Sequence, residues 1–214
     1  MRGANENEKL AVYRSPVGWA RATIALFWCT ILLLTPSTLA GLGPHDWMGD
    51  PLETRTSLRF VELAEGAFPY IRFLLAAAFL VWLFRVRNNL GAFGIRGLRW
   101  GPRWTIFGWF VPVMCFFVPY QIVTDIWRGS QLDATAENWR TKPASPELSL
   151  WWACFIVGAL AAPLLAPLGI AATLHALVNG ITILGSVLAL RLVSAITEQQ
   201  SARYNSENGD AVLS

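Results

Sequence analysis

Three side chains at the end of one apolar run have the types and spacing for anion recognition. Trp82, Arg85 and Asn89 lie three and four residues apart in W-L-F-R-V-R-N-N, so a helix puts them on one face. A guanidinium and an amide at headgroup depth suit a lipid phosphate or another anionic ligand. The plainer reading is a stop-transfer anchor that fixes helix depth. A second set, His175, Asn179, Thr182 and Ser186, is spaced four, three and four and forms one polar stripe. In a membrane such a stripe must face protein or water. It reads as interhelical hydrogen bonding, with Gly180 and Gly185 permitting close approach, or as the lining for a small polar solute or a proton. Asp125 and Arg128, three apart, read as a local ion pair.

Other chemistry is hard to assemble. There is no Ser/His/Asp set, paired carboxylates, H-E-x-x-H, nucleotide loop or haem-type histidine pair. Cys29, Cys115 and Cys154 stand apart inside apolar runs, without metal or redox spacing. The expectation is therefore a protein that is not an enzyme, with no catalytic residues, no metal and no cofactor.

The elements that carry these residues are apolar. Of 214 residues, 54% are hydrophobic and only 14% charged, against about 25% charged in soluble domains. The mean hydropathy is +0.42. This excludes a disordered chain, a nucleic-acid binder and an ordinary soluble enzyme. The runs are 22–42, 67–84, 105–123, 148–168 and 171–193, each near the length that crosses a bilayer. A polar tail, 1–21, precedes them and a polar tail, 197–214, follows. The first run is read as an uncleaved span; a signal peptide ending near Ala40 is the alternative. In D-P-L-E, Asp50 would cap a short surface helix, Pro51 to about Glu65, with Pro51 at its first position. Gly66 and Pro69 should then interrupt it. Arg72, a turn inside the second span, should snorkel to the interface.

Charge placement decides the topology. If all five runs cross, nine Lys/Arg fall inside and seven outside. If 105–123 enters and leaves on one side, fourteen of the seventeen lie inside and two outside, as the positive-inside rule requires. Trp19, Trp82, Trp104, Trp127, Trp151 and Trp152 would then form an inner-interface belt. Pro112 and Pro119 also suit a broken segment buried by protein.

From Phe79 to Ser130 the sequence resembles the bacterial membrane family called domain of unknown function 4328. Its W-x-x-R with a following Asn is similar to Trp82, Arg85 and Asn89 here. Its W-F-x-P run resembles Trp109, Phe110 and Pro112, its P-Y pair Pro119 and Tyr120, and its W-R-x-S end Trp127, Arg128 and Ser130. Trp151 and Trp152 resemble its double tryptophan, and I-T-E-Q-Q its closing segment. The resemblance extends to Gln200. In relatives the run between the two prolines is often polar or basic, which favours re-entry, whereas this chain has M-C-F-F-V. The resemblance implies no activity.

Together these readings give an all-α polytopic protein of the bacterial cytoplasmic (inner) membrane, N-terminus cytoplasmic. It has four transmembrane helices plus a Trp/Pro-rich re-entrant hairpin at 105–123; five spans is the alternative. The first functional expectation is a module that binds lipid headgroups or a membrane partner through Trp82, Arg85, Asn89, Trp109, Pro112, Pro119, Tyr120, Trp127, Arg128 and Ser130. The second is a small transporter or channel subunit that uses the stripe from His175 to Ser186. Partners would be membrane lipids, another membrane protein or a second copy, with no nucleic acid. Cysteines placed around Asn138 should accordingly react with an impermeant thiol reagent only from the cytoplasmic side; labelling from outside would require five spans.

Overall fold

A computed structural model describes residues 12–42, 51–165 and 172–213, together with the exposed or buried state of most of their side chains. The described residues form six α-helices and no strand: α1 (Val17–Leu42), α2 (Pro51–Ala92), α3 (Trp104–Phe107), α4 (Val118–Ser130), α5 (Pro146–Leu165) and α6 (Ala172–Leu213). Residues 1–11 of the polar tail, Asp50 and residues 166–171 lie outside them, so the proposed Asp50 cap and the end of the fourth run are not described.

Three helices are long and apolar enough to cross a membrane: Val17–Leu39, Gly66–Ala92 and Leu174–Glu207. The apolar part of α5, Pro146–Ala161, is shorter. These helices point to a membrane location. Phe73, Leu74, Trp28, Leu32, Val157 and Leu184 are exposed on them, which water would penalise and acyl chains accept.

The helices differ from the expected runs in two places. α2 begins at Pro51, as expected, but continues without interruption through Gly66 and Pro69 to Ala92. Forty-two residues make it about 63 Å long. In apolar surroundings a broken helix has no water to satisfy its freed backbone groups, so the helix persists through both residues. α6 likewise does not stop near Ile196. It runs to Leu213, because T-E-Q-Q-S-A-R-Y contains no helix breaker and its inner side packs. α1 contains Pro36. Around it Thr35, Ser37 and Thr38 turn their hydroxyls back onto the carbonyls of Ile31 and Leu34, so the hydroxyls need no partner in the lipid.

The stretch 105–123 is not one helix. It consists of the four-residue α3, turns, a 3-10 turn at Met114–Phe116 and the start of α4. Val113 has φ 66 and ψ −48, a conformation strained for a β-branched residue. Pro112 precedes it and Pro119 enters the first turn of α4, where a missing N–H is harmless.

The chain divides into two compact units. The described part of one is 12–21, 78–148 and 192–213; that of the other is 22–77, 149–165 and 172–191. In the second, α6 packs closely on α5. A Cβ on Gly185 would sit 3.0 Å from the Cys154 Cβ, and one on Gly158 would sit 3.1 Å from the Thr182 Oγ1. A Cβ on Gly180 meets nothing within 4 Å, so only Gly185 of the expected pair serves close approach. Gly185→Leu should therefore destabilise the detergent-solubilised protein by about 1–3 kcal/mol through overpacking. Gly180→Ala should be neutral or up to about 1 kcal/mol stabilising from helix propensity. Thermal unfolding of the two variants side by side checks the contrast.

Candidate functional site

The residues expected to bind headgroups divide into an interior set and a surface set. The interior set begins with Trp82, only 1% exposed, whose indole Nε1 donates to the Thr197 Oγ1 on α6 at 3.1 Å. Two turns on, Asn89 is equally buried. Its Oδ1 accepts from the Arg14 backbone N–H at 3.0 Å, and its Nδ2 donates to the Arg14 carbonyl at 2.9 Å and the Gln200 Oε1 at 3.0 Å. Gln200 is fully buried. Its Nε2 donates to the Val86 carbonyl at 2.9 Å and the Ser130 Oγ at 3.0 Å. Trp82, Asn89 and Ser130, expected at the headgroups, are thus buried within this unit. Their polar atoms are spent on Thr197, Gln200 and the Arg14 backbone, because a buried polar group without a partner is costly. Arg85 does lie on the same side of α2, half-exposed, but donates to the Ser15 carbonyl at 3.0 Å.

Arg203 completes this interior. Its guanidinium donates to the Phe93 carbonyl at 3.0 Å and the Gly129 carbonyl at 3.1 Å, and its Nε to the Glu207 carboxylate at 2.9 Å. It also lies 4.6 Å over the Phe93 ring. Phe93 directly follows α2 and Gly129 lies in the last turn of α4, so one cation serves carbonyls at two helix C-termini. Spacing along the sequence showed neither Gln200 nor Arg203 as important. The signal available was I-T-E-Q-Q in the resemblance, with an arginine three residues on from Gln200.

The surface set lies in the broken segment between α3 and α4. Phe107 is 59% exposed, Phe110 70%, Val113 69% and Phe117 59%. Pro112 is exposed, whereas Pro119 is buried at the start of α4 and Tyr120, Trp127, Trp109 and Arg128 are half-buried. Trp109 meets Phe79 edge-on, with centroids 5.8 Å apart. Beside the hairpin, Arg96, Arg99 and Arg103 are exposed. No acidic residue occurs from Arg85 to Thr124.

Below the hairpin, Asp125 is buried on α4. It does not form the simple pair with Arg128. Arg99 approaches it twice, Nε to Oδ1 at 3.3 Å and backbone N–H to Oδ2 at 3.3 Å. Burial pushes the Asp125 carboxyl above the usual carboxylate range, against the opposing pull of Arg99, Arg128 and Arg87. The Trp100 indole donates to the Gln121 Oε1 at 2.9 Å and its carbonyl accepts from Arg87 at 2.8 Å, which ties the arginine loop to α2 and α4.

The tryptophan belt is only partly present. Trp19 is exposed, and Trp104 and Trp127 are half-buried. Trp82, Trp151 and Trp152 are buried, and Trp152 stacks on Phe155 at 5.1 Å; packing claims these three before the interface can. Arg72 is exposed with its guanidinium over Phe68, one turn toward the helix start, the direction of snorkelling.

The polar stripe is used inside its own unit. Asn179 is buried and donates to the Ser37 Oγ of α1 at 3.3 Å. Thr182 and Ser186 donate to carbonyls one turn back on α6, and His175 is exposed. Among the described residues no three His, Cys, Asp or Glu side chains gather to hold a metal ion.

The apolar helices point to a membrane protein, with a buried hydrogen-bonded core and a run of exposed aromatic side chains between α3 and α4. The family pattern described as Domain of unknown function (DUF4328) matches residues 46–198. That is more than half of the chain, so the chain belongs to this family. No curated protein and no solved structure matches it.

The Gln200 core makes a sharp prediction. Gln200→Leu leaves one Asn89 N–H and the Ser130 oxygen without their partner and takes from the Val86 carbonyl its second donor, the first being its own helix, so it should destabilise the fold by about 2–4 kcal/mol. Arg85→Gln, at the half-exposed position, should change stability by no more than about 0.5 kcal/mol. Chemical unfolding followed by tryptophan fluorescence compares them.

Proposed function

We propose that this chain is a non-enzymatic lipid-binding module of the bacterial cytoplasmic membrane, and that its hairpin, 104–117, lies in the inner leaflet. In this reading four helices cross, the N-terminus is cytoplasmic, and the hairpin enters and leaves on that side. The observation that carries it is the exposure of Phe107, Phe110, Val113 and Phe117 on one short segment, next to the exposed Arg96, Arg99 and Arg103. Apolar side chains flanked by arginines, without an intervening acid, match the boundary between acyl chains and anionic headgroups. Each large apolar side chain withdrawn from water contributes about 1.5–3 kcal/mol, so four are enough to hold the hairpin at the interface. Fourteen of seventeen Lys/Arg on one side support the orientation.

The functional role accordingly moves from Trp82 and Asn89 to the hairpin and its arginines. The transport reading gains no support from the stripe, whose Asn179, Thr182 and Ser186 are bonded within the protein.

A spin label tests the reading. With the three native cysteines replaced by Ala and the chain in phospholipid nanodiscs, a nitroxide at Phe110→Cys should collide with dissolved oxygen far more than with an aqueous nickel chelate. A label at Glu137→Cys, on an exposed loop residue, should show the reverse. Equal exposure to the chelate at both positions would reject the hairpin as a membrane element.

A further inference from the structure

Arginines in the first unit fall into two kinds. Arg203 is spent on the protein: its donors reach the carbonyls of Phe93, Gly129 and Gln131 and the carboxylate of Glu207. The group around Asp125 is not. There Arg99 meets the one buried carboxylate at 3.3 Å, Arg128 follows Asp125 three residues on along α4, and Arg87 of α2 is bonded at 2.8 Å to the carbonyl of Trp100, the neighbour of Arg99. Three unit charges against one leave two in excess. Arg99 makes the direct contact and still has 45% of its side chain exposed. Arg128 is half-buried, and its Nε is shielded from solvent with no acceptor among the described residues. A shielded guanidinium N–H without an acceptor is uncommon, and guanidiniums pair with phosphate oxygens through parallel N–H groups. Arg99 and Arg128 come from the loop and the helix that flank the exposed aromatic segment.

We propose that Arg87, Arg99 and Arg128 form a binding site for the phosphate of an anionic lipid headgroup, with Asp125 as an internal counter-charge that limits its affinity. This deepens the hairpin reading and rests on it: apolar insertion sets the depth, and the arginine group selects the headgroup. Arg87 is held in place by the Trp100 carbonyl, so the adjustable members are Arg99 and Arg128. Asp125 is necessary in the empty state, since three neighbouring cations would otherwise repel one another.

The test uses the full chain in nanodiscs of phosphatidylcholine and phosphatidylglycerol in equal parts, with retained lipid counted by native mass spectrometry. The wild type should retain phosphatidylglycerol preferentially. Arg99→Gln and Arg128→Gln should each lower that preference by about five-fold, the effect of one arginine near an anionic surface. Asp125→Asn, which keeps the shape and removes the counter-charge, should raise it, an outcome that loss of folding cannot produce. Excess inorganic phosphate should not displace the lipid; displacement would overturn the lipid and assign the site to a free anion. Equal retention by the wild type and all three variants, with the label at position 110 still in lipid, would overturn the arginine site and leave the hairpin reading intact. A label at position 110 in water would overturn both.

Discussion

The Gln200 carboxamide is the interaction on which the first unit depends. It offers two N–H donors and one acceptor, and all three are used in a place without water. Through them it joins α6 to α2 at Val86 and Asn89 and to α4 at Ser130. Asn89 then extends the set to the backbone of Arg14, which brings in the segment ahead of α1. In a low dielectric such a network stabilises only if every member is satisfied. That condition fixes the rotation of α2 and α6 about their axes more tightly than apolar packing, which accepts many similar arrangements. Leu83, Val86, Leu90 and Ile196, all essentially unexposed, fill the space the network defines.

This constraint separates the residues that hold the fold from those free to act. Trp82, Asn89, Ser130, Gln200 and Arg203 have no polar capacity directed outward. Among the residues that do face outward are those of segment 104–117, whose backbone is broken at Pro112 and strained at Val113, so it presents phenylalanines instead of burying them. The arginine loop is pinned separately: Trp139 is buried and donates to the Arg96 carbonyl at 3.0 Å, and Arg140 reaches the Gly97 carbonyl. A rigid loop of arginines beside a set of exposed aromatic side chains is a workable arrangement for reading a bilayer surface.

Much of this was legible in the residues, though not evenly. The apolar runs and Pro51 at the start of α2 were readable because composition and helix-start chemistry are local. The uninterrupted passage through Gly66 and Pro69 was not, since their breaking tendency is measured against water and water is what an apolar environment lacks. Nor was the continuation of α6: T-E-Q-Q-S-A-R-Y is polar, and polarity reads as a tail unless its partners are known. Gln200 and Arg203 are buried because α2 and α4 bring them acceptors from 70 or more residues away in sequence.

The sequence by itself determined the class of protein, the scarcity and placement of its charge, and the residues that form its recurring motif. These follow from hydropathy, spacing and residue chemistry, which need no knowledge of neighbours. Only the tertiary structure decided which of the motif's residues are buried. On a helix wheel, Trp82, Arg85 and Asn89 share a face; whether that face meets headgroups or another helix depends on what packs against it. Thr197 and Gln200 pack there, a long-range pairing that periodicity cannot express, and so the apparent binding face became the interior and the hairpin the surface.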